Sequence, residues 1–308
     1  TTNAVGLKCL WIFKRREARM RAHKIGFVLA GLILMGGNCS RARVESMNEM
    51  NGGVELAQLK RYSEAAEMLE KAAALDPTNH QAYFNLAIVQ IEQRNFSAAR
   101  EALERAVVAK PDLAGYHEKL GTVLIELEDW KAAEASLKKA LELDPSLFKA
   151  HFKLGRVHEE VEDPQNALYQ YTDAIKTGPR FLPSYSALGR LYADLRYPDN
   201  AAQVLREALK VALPGTEEEA NIHHLLGTVY QQQRKFDDAV GEFQAALGIV
   251  PGMPDALFAL GWTYALQNND EEAKRYLNKY VMMAGAEAPE NYVKAAKDRL
   301  AELRTESP

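Results

Sequence analysis

Beyond residue 46 the chain alternates apolar stripes with short polar breaks. Leu120, Val123, Leu124 and Leu127 mark one stripe, and Trp130, Ala133, Leu137 and Ala140 mark the next. Apolar residues three and four apart share one face of an α-helix, so each stripe predicts an amphipathic helix. Glu128-Asp129 separates the two stripes and Asp144-Pro145 closes the second. Proline lacks an N–H and cannot continue the helix there. The pair predicts two antiparallel helices joined by a tight turn.

The pair recurs along the chain. LGTVLIELEDWKAAEASLKKALELDP (Leu120 to Pro145) aligns with LAIVQIEQRNFSAAREALERAVVAKP (Leu86 to Pro111) at an offset of 34 residues. A small residue returns as Gly53, Ala87, Gly121, Gly155, Gly189, Gly227 and Gly261, each step being 34 except the 38 from Gly189 to Gly227. A second small set is Ala65, Ala99, Ala133, Ala167, Ala201, Ala239 and Ala273. A third is Ala72, Ala106, Ala140, Ala174, Ala208 and Ala246, and Pro77, Pro111, Pro145, Pro179 and Pro251 close most units. At the small positions two helices approach most closely, and a larger side chain would overpack the contact at a cost of roughly 1–3 kcal/mol. One hairpin cannot bury its apolar stripe alone, whereas stacked hairpins bury a continuous core as a solenoid.

These residues resemble the tetratricopeptide repeat family. The resemblance rests on the pairs Leu120-Gly121, Leu154-Gly155, Leu188-Gly189, Leu226-Gly227 and Leu260-Gly261, and on the alanine and proline sets. Tyr192, Tyr230 and Tyr264 add an aromatic three residues after the glycine, with His158 in that slot of the fourth unit. It covers seven units, 46–79, 80–113, 114–147, 148–181, 182–219, 220–253 and 254–287. It implies an all-α fold, a right-handed superhelix of helix-turn-helix repeats. The fifth unit leaves the register: ALPGTEEEAN (Ala212 to Asn221) adds four residues and an acidic run, Glu217 to Glu219. That insertion reads as a solvated loop or as a hinge dividing five repeats from two. Pro164 and Pro198 fall in the first turns of second helices, where proline is tolerated. In the last unit Tyr280 stands where alanine is usual, and APENYVKAAKDRLAEL (Ala288 to Leu303) predicts an amphipathic capping helix, with 288–308 as cap and tail.

Charge and composition narrow the function. The net charge of −4 hides an asymmetry, because residues 1–43 hold nine Lys or Arg and one acid, Glu17, leaving 29 bases against 41 acids beyond them. An acidic body argues against a nucleic-acid partner, since phosphate binding needs clustered Lys and Arg. The two cysteines, Cys9 and Cys39, both precede the repeats, so neither a disulfide nor a cysteine zinc site can hold the body. His117, His151 and His223 share a repeat position with Tyr83, Tyr185 and Leu257 and read as packing residues, as does His158. His223-His224 lacks the H-E-x-x-H ligand pattern, and HEEVED (His158 to Asp163) reads as a helix end rather than a metal site. No glycine-rich phosphate loop, G-x-S-x-G or catalytic cysteine is present, and no non-repeat domain could house an active site. The expectation is no enzyme, with no catalytic residue, cofactor, metal or small-molecule substrate.

In the resembling family the first helix of each unit lines a concave groove that binds a peptide or a protein surface. Carried over position by position, this points Met47, Met50, Val54, Phe84, Ile88 and Ile91 inward from the first two units. Lys149, Phe152, Arg156, Arg190 and His224 follow from units four to six, and Phe258 and Trp262 from the seventh. The apolar N-terminal half suits an amphipathic helix or extended peptide, unless residues 40–46 fold back and cover Met47, Met50 and Val54. The middle is basic beside Glu126, Glu160 and Asp194. Some family members clamp an acidic chaperone tail with a Lys and an Asn on the first helix. Met50 and Val54 stand at those positions, so that ligand is not expected, although Lys149 and Lys153 fit the second half of the clamp.

Ahead of the repeats, Ile25 to Gly37 is an apolar run of about 13 residues, short of the roughly 20 that span a bilayer. Read from Met20, MRAHKIGFVLAGLILMGGNCS has a basic start, an apolar middle and small residues before Cys39, the pattern of a secretory signal. It looks like a bacterial lipoprotein signal in which Cys39 is lipidated, although Asn38 departs from the usual residue at that place. A plain cleaved signal and an uncleaved anchor stay open. On this basis 1–39 are leader and 40–45 a linker, and Ser40 favours outer-membrane sorting as such signals imply. The combined expectation is a lipid-tethered, periplasm-facing scaffold of the cell envelope that docks a protein or peptide and helps assemble an envelope complex. The alternative is an inner-membrane-anchored or cytosolic regulator or co-chaperone.

Overall fold

The computed structural model describes residues 26–284 and 289–305. Among the described residues lie fifteen helices and no strand. They form two compact units, divided after Gln93.

The first unit holds α1 (Gly26–Gln58), α2 (Tyr62–Leu75) and α3 (His80–Glu92). Helix α1 runs unbroken from the apolar head into the first repeat. Residues 40–45, read above as a linker, are therefore helical, and 40–46 do not fold back over Met47, Met50 or Val54. No proline or glycine lies between Ser40 and Met50 to break the helix. Arg43 pairs with Asp76 at 3.4 Å. The buried Ser46 hydroxyl then donates to the Ala72 carbonyl (2.7 Å) and accepts from the Asn79 amide (2.9 Å). The leader's residues 1–25 lie outside the described residues, as does the Cys39 side chain.

The second unit begins with α4 (Phe96–Ala109) and continues through α5 (Ala114–Glu126), α6 (Trp130–Leu143), α7 (Phe148–Glu160) and α8 (Pro164–Thr177). After these come α9 (Leu182–Asp194), α10 (Pro198–Val211), α11 (Glu217–Gln232), α12 (Phe236–Ile249), α13 (Pro254–Leu266), α14 (Asp270–Met283) and α15 (Glu290–Thr305). From α5 onward each helix packs on the next in chain order, as in a solenoid.

Two devices build every hairpin. The first is the turn. Lys60, Arg94, Glu128, Glu162, Arg196, Arg234 and Asn268 end the first helices with φ between +57° and +66°. The next N–H reaches back to the carbonyl five residues earlier, as in Asp129 to Leu124 (2.9 Å) and Asp163 to His158 (2.8 Å). This satisfies carbonyls that a helix end leaves without partners. The same Asp129 and Asp163 then cap the second helix, their side chains accepting from the N–H of Ala132 and of Asn166 (3.2 Å each). The polar breaks in the sequence are thus a stop and a start in three residues.

The second device is close approach. A Cβ on Gly53, Gly121, Gly155, Gly189, Gly227 or Gly261 would stand 2.6–2.9 Å from Leu69, Leu137, Tyr171, Leu205, Phe243 or Leu277 respectively. Each partner lies sixteen residues on, in the second helix, and is fully buried or nearly so. The alanines of the second set are all fully buried beside it.

The insertion after Val211 is a capped loop. Thr216, the N-cap, accepts at Oγ1 from the Glu219 N–H (3.3 Å), while Glu219 Oε2 accepts from the N–H of Gly215, one residue before the cap (2.7 Å). Leu205 and Ala208 share one core cluster with Ile222 and Leu226 across the insertion. The division into compact units falls after Gln93 and not at this insertion. At the far end α15 covers the last hairpin: Ala296 and Leu300 pack with Leu257, Leu277 and Tyr280, and Leu303 packs with Ala265 and Ala273.

Candidate functional site

In the first unit, Val54 and Gln58 of α1, Tyr62 and Leu69 of α2, and Asn85, Ile88 and Glu92 of α3 line a cavity of about 370 Å³. Of the six residues expected to face inward here, Val54 and Ile88 line it. Met50 does not: it is buried and belongs to the core. Met47 is half exposed, and Phe84 and Ile91 are partly buried.

The middle of the second unit is less basic than its sequence suggests. Arg190 on α9 donates to both oxygens of Glu159 on α7 (2.9 and 3.1 Å) and lies 3.8 Å from Asp194. Glu159 also accepts from the buried Tyr171 hydroxyl, whose pKa is pushed up by burial and by that hydrogen bond. Phe152 packs among aromatics, 5.2 Å from the Phe181 ring and 5.8 Å from that of Tyr171. Lys149 is exposed, with its ammonium 5.9 Å from the Phe148 ring centre, and Arg156 is exposed without an ion pair among the described residues. Lys153 is mostly buried, paired with Glu118 and donating to Thr122 (2.6 Å). Burial pulls its pKa down against the opposing pull of Glu118. A lysine so engaged is not free to receive an acidic tail.

The histidines hold repeats together. His117 Nε2 lies 2.9 Å from the Pro111 carbonyl and His151 Nε2 3.3 Å from that of Pro145. Tyr185, at the same repeat position, donates to the Pro179 carbonyl (3.0 Å). In each case a ring hydrogen-bonds the carbonyl that closes the preceding unit, six residues earlier. His223 follows the unit without a closing proline in register and pairs with Glu242 instead (2.6 Å). Among the described residues, no cluster of three or more His, Cys, Asp or Glu could hold a metal ion, and no helix is long and apolar enough to cross a membrane.

A second cavity of about 370 Å³ lies at the C-terminal end of the second unit. His224, Thr228 and Gln231 of α11 form one wall. Asp255, Phe258, Ala259 and Trp262 of α13, Tyr280 of α14 and Tyr292 of α15 form the rest. Phe258 stacks on Trp262 (5.7 Å, 24°), meets Tyr292 edge-on (5.1 Å, 80°) and lies 5.3 Å from Tyr280. Burial keeps His224 below the ordinary imidazole pKa, partly offset by Asp255. The cavity gathers three residues expected in the groove, His224, Phe258 and Trp262. Sequence reasoning did not assign Tyr280 or Tyr292 to it. Tyr280 carried a signal, as the aromatic in an alanine register; Tyr292 lay unremarked in the capping helix.

Three family models match the chain: two described as tetratricopeptide repeat, over 56–120 and over 186–254 and 224–292, and one described as TPR repeat, over 121–161. Together they cover more than half of the sequence. No curated protein matches the chain. Among solved structures, that of YrrB, described as a TPR protein with an unusual peptide-binding site, is 25% identical (TM-score 0.52) and covers 65% of this chain and 99% of its own. The Pseudomonas aeruginosa PilF structure is 19% identical (TM-score 0.56) and covers 71% and 96%. A MamA structure is 23% identical (TM-score 0.52) and covers 54% and 91%.

Proposed function

Because the chain belongs to the tetratricopeptide repeat family, a fold suited to protein–protein interaction, we propose that it is a non-catalytic scaffold that docks a peptide or protein on its first helices. The observation that carries this proposal is the C-terminal cavity, framed by His224, Phe258 and Trp262 from successive first helices. Concave, mostly apolar sites with a few polar groups are where ligands lodge. The likeness to YrrB adds support for a peptide as the ligand. The cavity at Val54 and Ile88 is a second contact region on the first unit. Affinity capture with the full chain tests both. Ile88→Glu and Phe258→Ala should each reduce partner recovery severalfold while circular dichroism keeps its helical signal. Unchanged recovery with both variants would reject these surfaces.

We place the scaffold at the cell envelope, tethered by lipid on Cys39 and facing the periplasm, where it would help assemble an envelope complex. The support is the order of basic, apolar and small residues before that cysteine. Metabolic labelling with radioactive palmitate should mark the chain and not its Cys39→Ala variant. Label that survives the substitution would sink the tether.

A further inference from the structure

The C-terminal cavity has an unusual balance of charge. Among the described residues, four aromatic rings, Phe258, Trp262, Tyr280 and Tyr292, share it with one carboxylate, Asp255, and with no lysine or arginine. Burial lowers the His224 pKa and so disfavours its charged form, with Asp255 opposing. Asp255 is exposed, and among the described residues its carboxylate makes no hydrogen bond or ion pair.

The faces of aromatic rings carry negative potential. A cation over such a face is attracted, most strongly over tryptophan. Gln231 extends the pattern. Its side-chain nitrogen donates to Thr263 Oγ1 (2.8 Å), while its carbonyl oxygen accepts nothing among the described residues. The cavity therefore offers two oxygen acceptors and an aromatic wall, with no charged donor among the described residues.

We propose that this cavity receives an arginine side chain of the docked partner. Guanidinium is planar, stacks on an indole face and presents a fork of N–H donors that fits a carboxylate. Lysine would meet the same wall as a more strongly hydrated point charge and lose more on entering it. The assignment rests on the partner-docking function above and adds the chemistry of one partner residue. It also gives Tyr280 a role: at an alanine position of the repeat it supplies a wall of the cavity.

The chain has three tryptophans, Trp11, Trp130 and Trp262, so indole ¹⁵N resonances of the full chain report the site directly, with Trp262→Phe identifying the signal. The probes are N-acetyl-arginine amide, its uncharged isostere N-acetyl-citrulline amide, N-acetyl-lysine amide and choline. The arginine probe should shift the Trp262 signal saturably and leave Trp130 unmoved. Citrulline should bind about tenfold more weakly, and Asp255→Asn should weaken the arginine probe about threefold or more. Equal response to arginine and citrulline, no effect of Asp255→Asn, or tighter binding of lysine or choline would each overturn the assignment. No response to the arginine probe would overturn it as well while leaving partner docking intact, because capture with Ile88→Glu and Phe258→Ala tests docking independently.

Discussion

Among the described residues, seven hold a left-handed backbone without being glycine: Lys60, Arg94, Glu128, Glu162, Arg196, Arg234 and Asn268. For L-residues with a Cβ this conformation costs roughly 1–2 kcal/mol, and the sharp turn between paired helices demands it. Glu162 is exposed and among the described residues makes no ion pair or hydrogen bond through its side chain, so Glu162→Gly should stabilise the protein by about 1 kcal/mol, read as a higher urea midpoint. His224 predicts the opposite kind of sensitivity. Its folded pKa lies below the ordinary imidazole value, first through burial, with Asp255 opposing. The unfolded chain therefore takes up a proton at a pH where the native imidazole stays neutral. Its contribution to stability is fully present above the ordinary imidazole pKa and is lost as pH falls through the folded value. The urea midpoint of the wild type should drop more steeply between pH 7 and 5 than that of His224→Gln, a range bracketing the imidazole value of about 6.5.

Between elements, a largely buried polar junction joins α5 to α7. Lys153 gives up most of its hydration and is compensated by Glu118 and Thr122. Removing one partner strands a charge, so Glu118→Ala should cost roughly 2–4 kcal/mol. The double variant Glu118→Leu with Lys153→Met should recover most of that loss, because an apolar pair of similar volume avoids the desolvation altogether. Denaturant melts of the wild type and the two variants check both statements; a double variant as unstable as the single would point to packing rather than charge. The helices and their pairing were legible from the 34-residue period. This junction was not, because residues 35 apart in sequence become partners only through the angle at which successive hairpins stack.

For the whole molecule, stability in a stacked array is a sum of nearest-neighbour terms, and the terminal repeat depends on its cap. Leu300 and Leu303 bury themselves against the last hairpin, a contribution of roughly 3–6 kcal/mol. Truncation after Ala284 should lower the melting temperature by about 5–15 °C and remove Tyr292 from the cavity, abolishing any Trp262 response to the arginine probe. The candidate docking surface is also divided differently from its linear description. The chain separates into compact units after Gln93, inside the second sequence repeat, and each unit carries its own cavity.

Periodicity alone determined that the chain is helical, where each hairpin turns, and which positions must stay small. Each of these is a local demand: 3.6 residues per turn, one αL residue per turn, and one close contact sixteen residues away. Tertiary structure decided which candidate side chains are available. Met50 went to the core, Arg190 and Lys153 to carboxylates on neighbouring helices, and Tyr280 and Tyr292 to a cavity built from four helices. Availability depends on what lies opposite a side chain, and in a stacked array the opposite surface comes from another repeat.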